Sequence, residues 1–186
     1  MLARTAGSQG GFMGAAELKK IIREVPDFPK PGINFYDLTT VFRNAAAFRS
    51  ALERMVSRFR GDRIDAIAGI EARGFVLASV MAYELGVGLA LLRKPGKLPW
   101  EVEADEYSLE YGTAKLEMHR DAVGKGERVL IVDDVLATGG TAAAAARLVE
   151  RLGASVNGYA FLVELGFLEG RKRLSPDNVF SLVHYE

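Results

Sequence analysis

Cysteine is absent from all 186 residues, which excludes a disulfide framework, a thiolate nucleophile and a Cys-ligated zinc site. Histidine is scarce: His119 and His184 are the two present, too few for a three-histidine metal centre. Neither charge sign prevails, with 24 basic and 24 acidic residues. The overall field therefore has no sign with which to recruit nucleic acid or an anionic membrane, and neither is an expected partner. Any polyanion must be held by a few basic side chains and backbone amides gathered in one place. Long apolar runs are missing too. The longest, Phe75 to Tyr83, is interrupted by Ser79 and falls far short of the ~20 residues that span a bilayer. The opening segment 1–14 has one arginine and scattered glycine but no apolar core of a secretion signal, so the expected location is reduced and cytoplasmic.

The length suits one domain at roughly 150 residues per domain: a loose tail over 1–14 and a folded part over 15–186. Leu18, Ile21, Ile22 and Val25 recur at helical spacing and predict a helix that stops before Pro26. Residues 26–32 read as a stiff, turn-rich connector. Asn44 is placed to cap a second helix whose stripe is Phe48, Leu52, Met55, Val56 and Phe59, ending at Gly61. The pattern then changes. Ile64 to Ile70 is a short apolar strand, Gly74 to Leu85 a helix apolar nearly all round, and Val87 to Leu92 a second strand. A second unit of the same kind runs through Arg128 to Val132, an alanine-rich helix from Thr141 to Leu152, and Val156 to Val163. Two βαβ units predict an α/β fold with a mostly parallel twisted sheet flanked by helices. Between them, Lys94 to Tyr107 reads as a mobile loop. Tyr107 to Glu110 and Thr113 to Met118 would make a short hairpin, and Asn178 to Val183 a last strand.

The run from Arg128 to Thr141 carries the chemistry. A buried strand ends in Asp133 and Asp134, followed by the small-residue loop Ala137, Thr138, Gly139, Gly140 and Thr141 at the start of a helix. Open α/β sheets bind ligands at the carboxyl ends of their strands. Two adjacent carboxylates there need compensation from a cation, a metal or hydroxyl donors, and a sugar diol supplies such donors. The loop can wrap an anion with backbone N–H groups at a helix N-terminus. The pair reads as recognition of a ribose 5-phosphate, with the hydroxyls on the acids and the phosphate on the amides. The bland alternative is that the acids end a strand and the glycines cap a turn. A kinase-type P-loop is excluded, since no lysine follows Gly140, and no G-x-G-x-x-G dinucleotide loop occurs.

These residues resemble the signature of the type I phosphoribosyltransferases. Further stretches are similar to the adenine-using branch of that family: Pro26 to Asp37, Gly69 to Phe75, Arg93 to Pro99, Ser108 to Gly112 and Ser181 to Glu186. The resemblance implies the type I phosphoribosyltransferase fold, a single domain with a small hood segment and a flexible lid over 94–107. It implies transfer of a phosphoribosyl group from 5-phospho-α-D-ribose 1-diphosphate (PRPP) to adenine, giving AMP and pyrophosphate. The expected cofactor is Mg²⁺, held mainly by the substrate, and the expected assembly is a homodimer. Two rivals stay open: an enzyme for another purine base such as hypoxanthine or xanthine, and a non-catalytic nucleotide sensor of the same fold.

Residue roles follow from the same resemblance. Ala137 to Thr141 would hold the 5-phosphate, and Asp133 and Asp134 the ribose hydroxyls. Arg73, Lys94, Lys97 and Tyr111 would meet the pyrophosphate, with Arg93 adding positive charge beside them. Glu110 would manage the purine ring proton and Arg73 would stabilise the leaving group, which makes these two the catalytic pair. Phe35 would stack on the base while backbone groups from Ile33 to Phe35 read its amine. The resemblance also implies an unusual, in relatives sometimes cis, peptide at Ala72–Arg73. Tyr36 and Trp100 depart from the family pattern, at a position usually basic and a position usually small.

Overall fold

The computed structural model describes residues 12–108 and 113–186, divided between two units, Met1–Ser50 and Ala51–Glu186. In the first, helix α1 (Ala15–Ile21) is shorter than its periodicity predicts, because Ile22 is already extended. Residues 23–25 form strand β1 (Arg23–Val25), antiparallel to β2 (Phe35–Asp37), with Val25 opposite Phe35. Val25 thus belongs to a strand, a state set by a partner beyond the Pro26 connector and invisible to local spacing. Within that connector Asp27 accepts the Gly32 N–H at 2.7 Å, closing the turn between the two strands. A short helix α2 (Thr39–Arg43) follows, unforeseen in the sequence. Asn44 caps α3 (Ala45–Phe59) as expected, its Oδ1 accepting the N–H groups of Ala46 and Ala47 at 3.1 Å.

The second unit contains both expected βαβ units. Strand β3 (Ala66–Ile70), helix α4 (Arg73–Leu85) and strand β4 (Gly88–Leu92) form the first. A hairpin of β5 (Val102–Ser108) and β6 (Thr113–His119) precedes β7 (Arg128–Leu136), helix α5 (Gly140–Arg151), β8 (Ser155–Leu165) and β9 (Val179–Tyr185). The sheet order is β4-β3-β7-β8-β9, parallel throughout. Chain progression reverses between β3 and β7, so the crevice at their carboxyl ends is a topological switch point. All of β3 is buried, as its unbroken apolar run requires. On one side of the sheet, Val129, Ile131, Tyr159 and Phe161 pack with Ala145, Leu148 and Val149 of α5 and with Leu116 and Met118 of β6.

Three expectations need correction. Helix α4 is not apolar and buried all round: Val76 is exposed and Tyr83 is 84% exposed, one face of the helix lying outside the core. Strand β7 does not stop before the acids but continues to Leu136, because β8 is long enough to pair with it as far as Glu164. The segment Lys94 to Tyr107 is only partly loop: residues 102–107 belong to β5, paired from Val102 opposite His119 to Ser108 opposite Thr113. Its charged composition disguised the strand, because several of its acids are neutralised by distant arginines.

Asp105 is the buried member of that set, 5% exposed. It accepts from Arg147 Nε at 3.0 Å and Nη2 at 2.5 Å, and forms a second ion pair with Arg151, whose Nη1 also donates to the Ala104 carbonyl at 2.9 Å. Burial alone would raise the Asp105 pKa, but the hydrogen bonds from the two arginines outweigh it and hold the carboxyl below its ordinary value. This clamp fastens β5 along α5. Because the native pKa is depressed, the stabilisation is present above the ordinary carboxylate range and is lost as pH falls through the native value. Asp105→Asn is expected to lower unfolding free energy at pH 7 by about 1–2 kcal/mol, the exposure of the arginines reducing what a fully buried pair would lose. Urea titrations should show the gap between variant and parent closing in acid.

Candidate active site

The carboxyl end of β7 places Asp133 and Asp134 on opposite faces of the strand, as the period of two demands. Asp134 is 4% exposed and forms an ion pair with Nε of Arg73, the first residue of α4. Arg73 reaches it because the loop after β3 opens at the same sheet edge as the end of β7. Asp133 is half-buried, and its Oδ1 accepts the Asp134 N–H at 2.8 Å. Burial first, and then the charge of Asp134, push the Asp133 pKa well above the usual carboxylate range. The pair therefore meets its repulsion unequally: Asp134 is matched by the Arg73 guanidinium, while Asp133 has its pKa raised. Gly74 permits this crowding, since a Cβ there would lie 2.8 Å from Asp133 Oδ1 and 3.0 Å from the Val132 carbonyl. The cis peptide of this region joins Glu71 to Ala72, one bond earlier than the expected Ala72–Arg73.

Ala137 to Thr141 form the turn from β7 into α5. Gly139 occupies the N-cap with φ of 78°, a left-handed conformation that favours glycine. A side chain there would also strike the carbonyl of Gly170, and one on Gly170 would strike that of Ala137. The loop is thus built against a second backbone. The supporting segment, two 3-10 turns (Gly166–Leu168 and Gly170–Arg173), is tied down by Arg171. Its Nε and Nη2 donate to Glu164 at 3.1 and 2.6 Å, and its Nη1 donates to the Val179 carbonyl at 2.8 Å. Thr141 Oγ1 donates to the hydroxyl of Tyr107 at 3.1 Å. Neither Tyr107 nor Gly170 is singled out by the sequence. The alternation of Asp105 and Tyr107 on one side of a strand is the signal that could have found the tyrosine.

The expected basic cluster divides. Arg93 donates through Nη2 and Nε to the two Glu71 oxygens at 3.0 and 3.2 Å, and its Nη1 to the Lys97 carbonyl at 3.0 Å. Its charge is therefore matched by Glu71. The hydrogen bonds from Arg93 hold the Glu71 pKa below its ordinary value against the opposing effect of burial. The Lys94 N–H also donates to Glu71, at 3.0 Å, so this glutamate orders the start of the loop. Lys94 and Lys97 are exposed, at the carboxyl end of β4. Glu110 and Tyr111 lie outside the described residues.

In the first unit, Phe35 packs edge-on against Phe28, with ring centroids 5.2 Å apart. The Ile33 N–H donates to Lys30 and its carbonyl accepts from Phe28, so both backbone groups hold the turn. A cleft of about 530 Å³ in this unit is lined by Arg23, Thr39, Thr40, Arg43 and Asn44, with neither Ile33 nor Phe35 among them.

Residues 39–185 match the phosphoribosyl transferase domain family. The chain is 55% identical over 168 residues to an adenine phosphoribosyltransferase of Roseiflexus sp. (strain RS-1), covering 90% of this chain and 98% of that one. It is similar in structure to the adenine phosphoribosyltransferase of Thermoanaerobacter pseudethanolicus, with TM-score 0.89, 52% identity, and 92% and 99% of the two chains covered. Similarity extends to the Trypanosoma brucei adenine phosphoribosyl transferase, solved in complex with AMP, pyrophosphate and ribose-5-phosphate. There the TM-score is 0.82 at 26% identity, covering 91% of this chain and 78% of that one.

The unequal carboxylate pair has a measurable consequence. A group whose native pKa is raised loses stability as pH climbs from the ordinary carboxylate range through the native value. Asp133→Asn retains an acceptor for the Asp134 N–H and removes that titration. Urea unfolding should show the variant gaining on the parent as pH rises, with no gain in acid.

Proposed function

This chain belongs to the phosphoribosyl transferase family, and within it to the adenine phosphoribosyltransferases, and from that premise we propose how its residues divide the work. The reaction is transfer of the phosphoribosyl group of PRPP to adenine, yielding AMP and pyrophosphate in purine salvage. The single observation that carries the residue assignment is the convergence of Arg73, Asp133, Asp134 and the loop 137–141 at the switch point between β3 and β7.

In the proposed arrangement the 5-phosphate lies on the backbone of Ala137, Thr138, Gly139 and Gly140 and on Thr141, at the positive end of α5. Asp133 and Asp134 accept from the ribose hydroxyls, and a diol donating to Asp133 favours its charged form. As the C1–O bond lengthens, positive charge grows on the ribose ring and negative charge on the departing diphosphate. Arg73 meets that diphosphate with the forked donors of a guanidinium, while Lys94, Lys97 and Tyr111 surround it. Phe35 stacks on adenine beside Ile33, and Glu110 takes the ring proton as N9 becomes the nucleophile. A lid over 94–107 would exclude water from the cation-like ring. The Asp105 clamp ties 102–107 to α5, which leaves 94–101, with Trp100 exposed, as the part outside the hairpin.

Mg²⁺ fits this site as an ion shared with the substrate. Among the described residues the crevice carboxylates are Asp133 and Asp134, of which Asp134 is engaged by Arg73, and no cluster large enough for an all-protein cage is present. Mg²⁺ keeps several waters and prefers such sharing, so Asp133 would meet it through water. When bound, the ion offsets charge on the leaving diphosphate.

A cytoplasmic location and a homodimer complete the proposal. Among the described residues no helix is long and apolar enough to cross a membrane. The dimer is supported by an apolar surface of Val76 and Tyr83 on α4 with Leu89 and Leu91 on the edge strand β4, all exposed.

The assignment is tested by mixing adenine, PRPP and Mg²⁺ and following pyrophosphate release. Glu110→Gln should lower kcat by ~10²- to 10⁴-fold with PRPP affinity nearly unchanged, and full turnover in that variant would remove its acid–base role. For the assembly, Tyr83→Lys should halve the mass seen in sedimentation at low micromolar concentration. A dimer that persists in the variant would move the interface elsewhere.

A further inference from the structure

Strand β5 runs along α5 toward that helix's N-terminus. Asp105 and Tyr107, two residues apart, lie on one face of the strand. Asp105 engages Arg147 and Arg151 in the later turns of α5, and Tyr107 reaches Thr141 in its first turn. The Tyr107 ring also packs on the main hydrophobic cluster. The phenol hydroxyl is therefore held at the loop 137–141 from two sides, by the Asp105 ion pairs behind it and by core contact beneath it. A threonine hydroxyl has one proton to donate and can accept from a neighbour at the same time. In the structure that proton is directed to the Tyr107 oxygen. A phosphate oxygen in the loop is the stronger acceptor, because it is charged.

We propose that Tyr107 is a positioning residue of the phosphate cradle, acting through Thr141: when phosphate enters, the Thr141 proton turns to it and the Tyr107 hydroxyl donates to Thr141 Oγ1 in its place. The resulting chain, Tyr107 to Thr141 to phosphate, orients one donor and strengthens it by polarisation. It rests on the reading of residues 137–141 as the phosphate site. It also assigns the stem of the hairpin a part in ligand binding that a loose covering loop would not have.

The test is calorimetric titration of Tyr107→Phe, which keeps the ring and removes the hydroxyl, with AMP, and with adenosine as the ligand lacking phosphate. AMP affinity should fall about five- to tenfold, adenosine binding and melting temperature should hold, and KM for PRPP should rise with kcat within about threefold. Thr141→Ser should retain AMP affinity and Thr141→Ala should lose it. The double variant Tyr107→Phe/Thr141→Ala should be no weaker than Thr141→Ala alone, because both remove one chain. Parental AMP affinity in Tyr107→Phe, equal losses for AMP and adenosine, or additive losses in the double variant would overturn the proposal while leaving the cradle standing. Parental AMP affinity in Thr141→Ala would instead bring down the phosphate-site reading itself, and this inference with it.

Discussion

Two neighbouring carboxylates at the carboxyl end of a buried strand repel each other in a medium that screens poorly, and the site is organised around relieving that repulsion. The relief is asymmetric. Asp134 is matched by Arg73, delivered from the adjacent strand's loop, whereas Asp133 is left with a raised pKa beside a glycine that lets α4 approach. In the proposed arrangement a ligand bearing a diol and a leaving anion answers both needs at once, its hydroxyls donating to the acids and its anion drawing on the guanidinium. The ion pair between Arg73 and Asp134 ties the start of α4 to the end of β7.

Helix α5 is the common support. Its N-terminus makes the anion loop, its buried alanine face closes the core, and its later arginines hold the hairpin through Asp105. Gly139 and Gly170 bring a second backbone against the loop, and Arg171 fixes that second segment to β8 and β9 through Glu164 and the Val179 carbonyl. The phosphate loop is accordingly braced from the 3-10 side and, through Tyr107, from the hairpin side. Such bracing suits a site that must place backbone N–H groups within tenths of an ångström of their ligand.

Charge is used sparingly in this neutral chain. Arg93, Arg147, Arg151 and Arg171 sit near or around the site, yet each is spent on a structural carboxylate: Glu71, Asp105 or Glu164. The composition alone would count them as counter-charge for a polyanion. The ion pairs give each of them a structural partner instead.

The sequence by itself determined the two βαβ units, the capped α3, the acid pair and the small-residue loop. Each is a local pattern, an apolar period or a run of residue types a few positions long, and local patterns survive without knowledge of partners. Only the tertiary structure decided that Val25 is strand, that β5 reaches back to Val102, that Arg93 is neutralised by Glu71, and that Tyr107 belongs beside the anion loop. Those outcomes depend on contacts between groups distant along the chain, such as Arg73 with Asp134 across 61 residues and Thr141 with Tyr107 across 34. Their energies exist only once the sheet has brought the partners together.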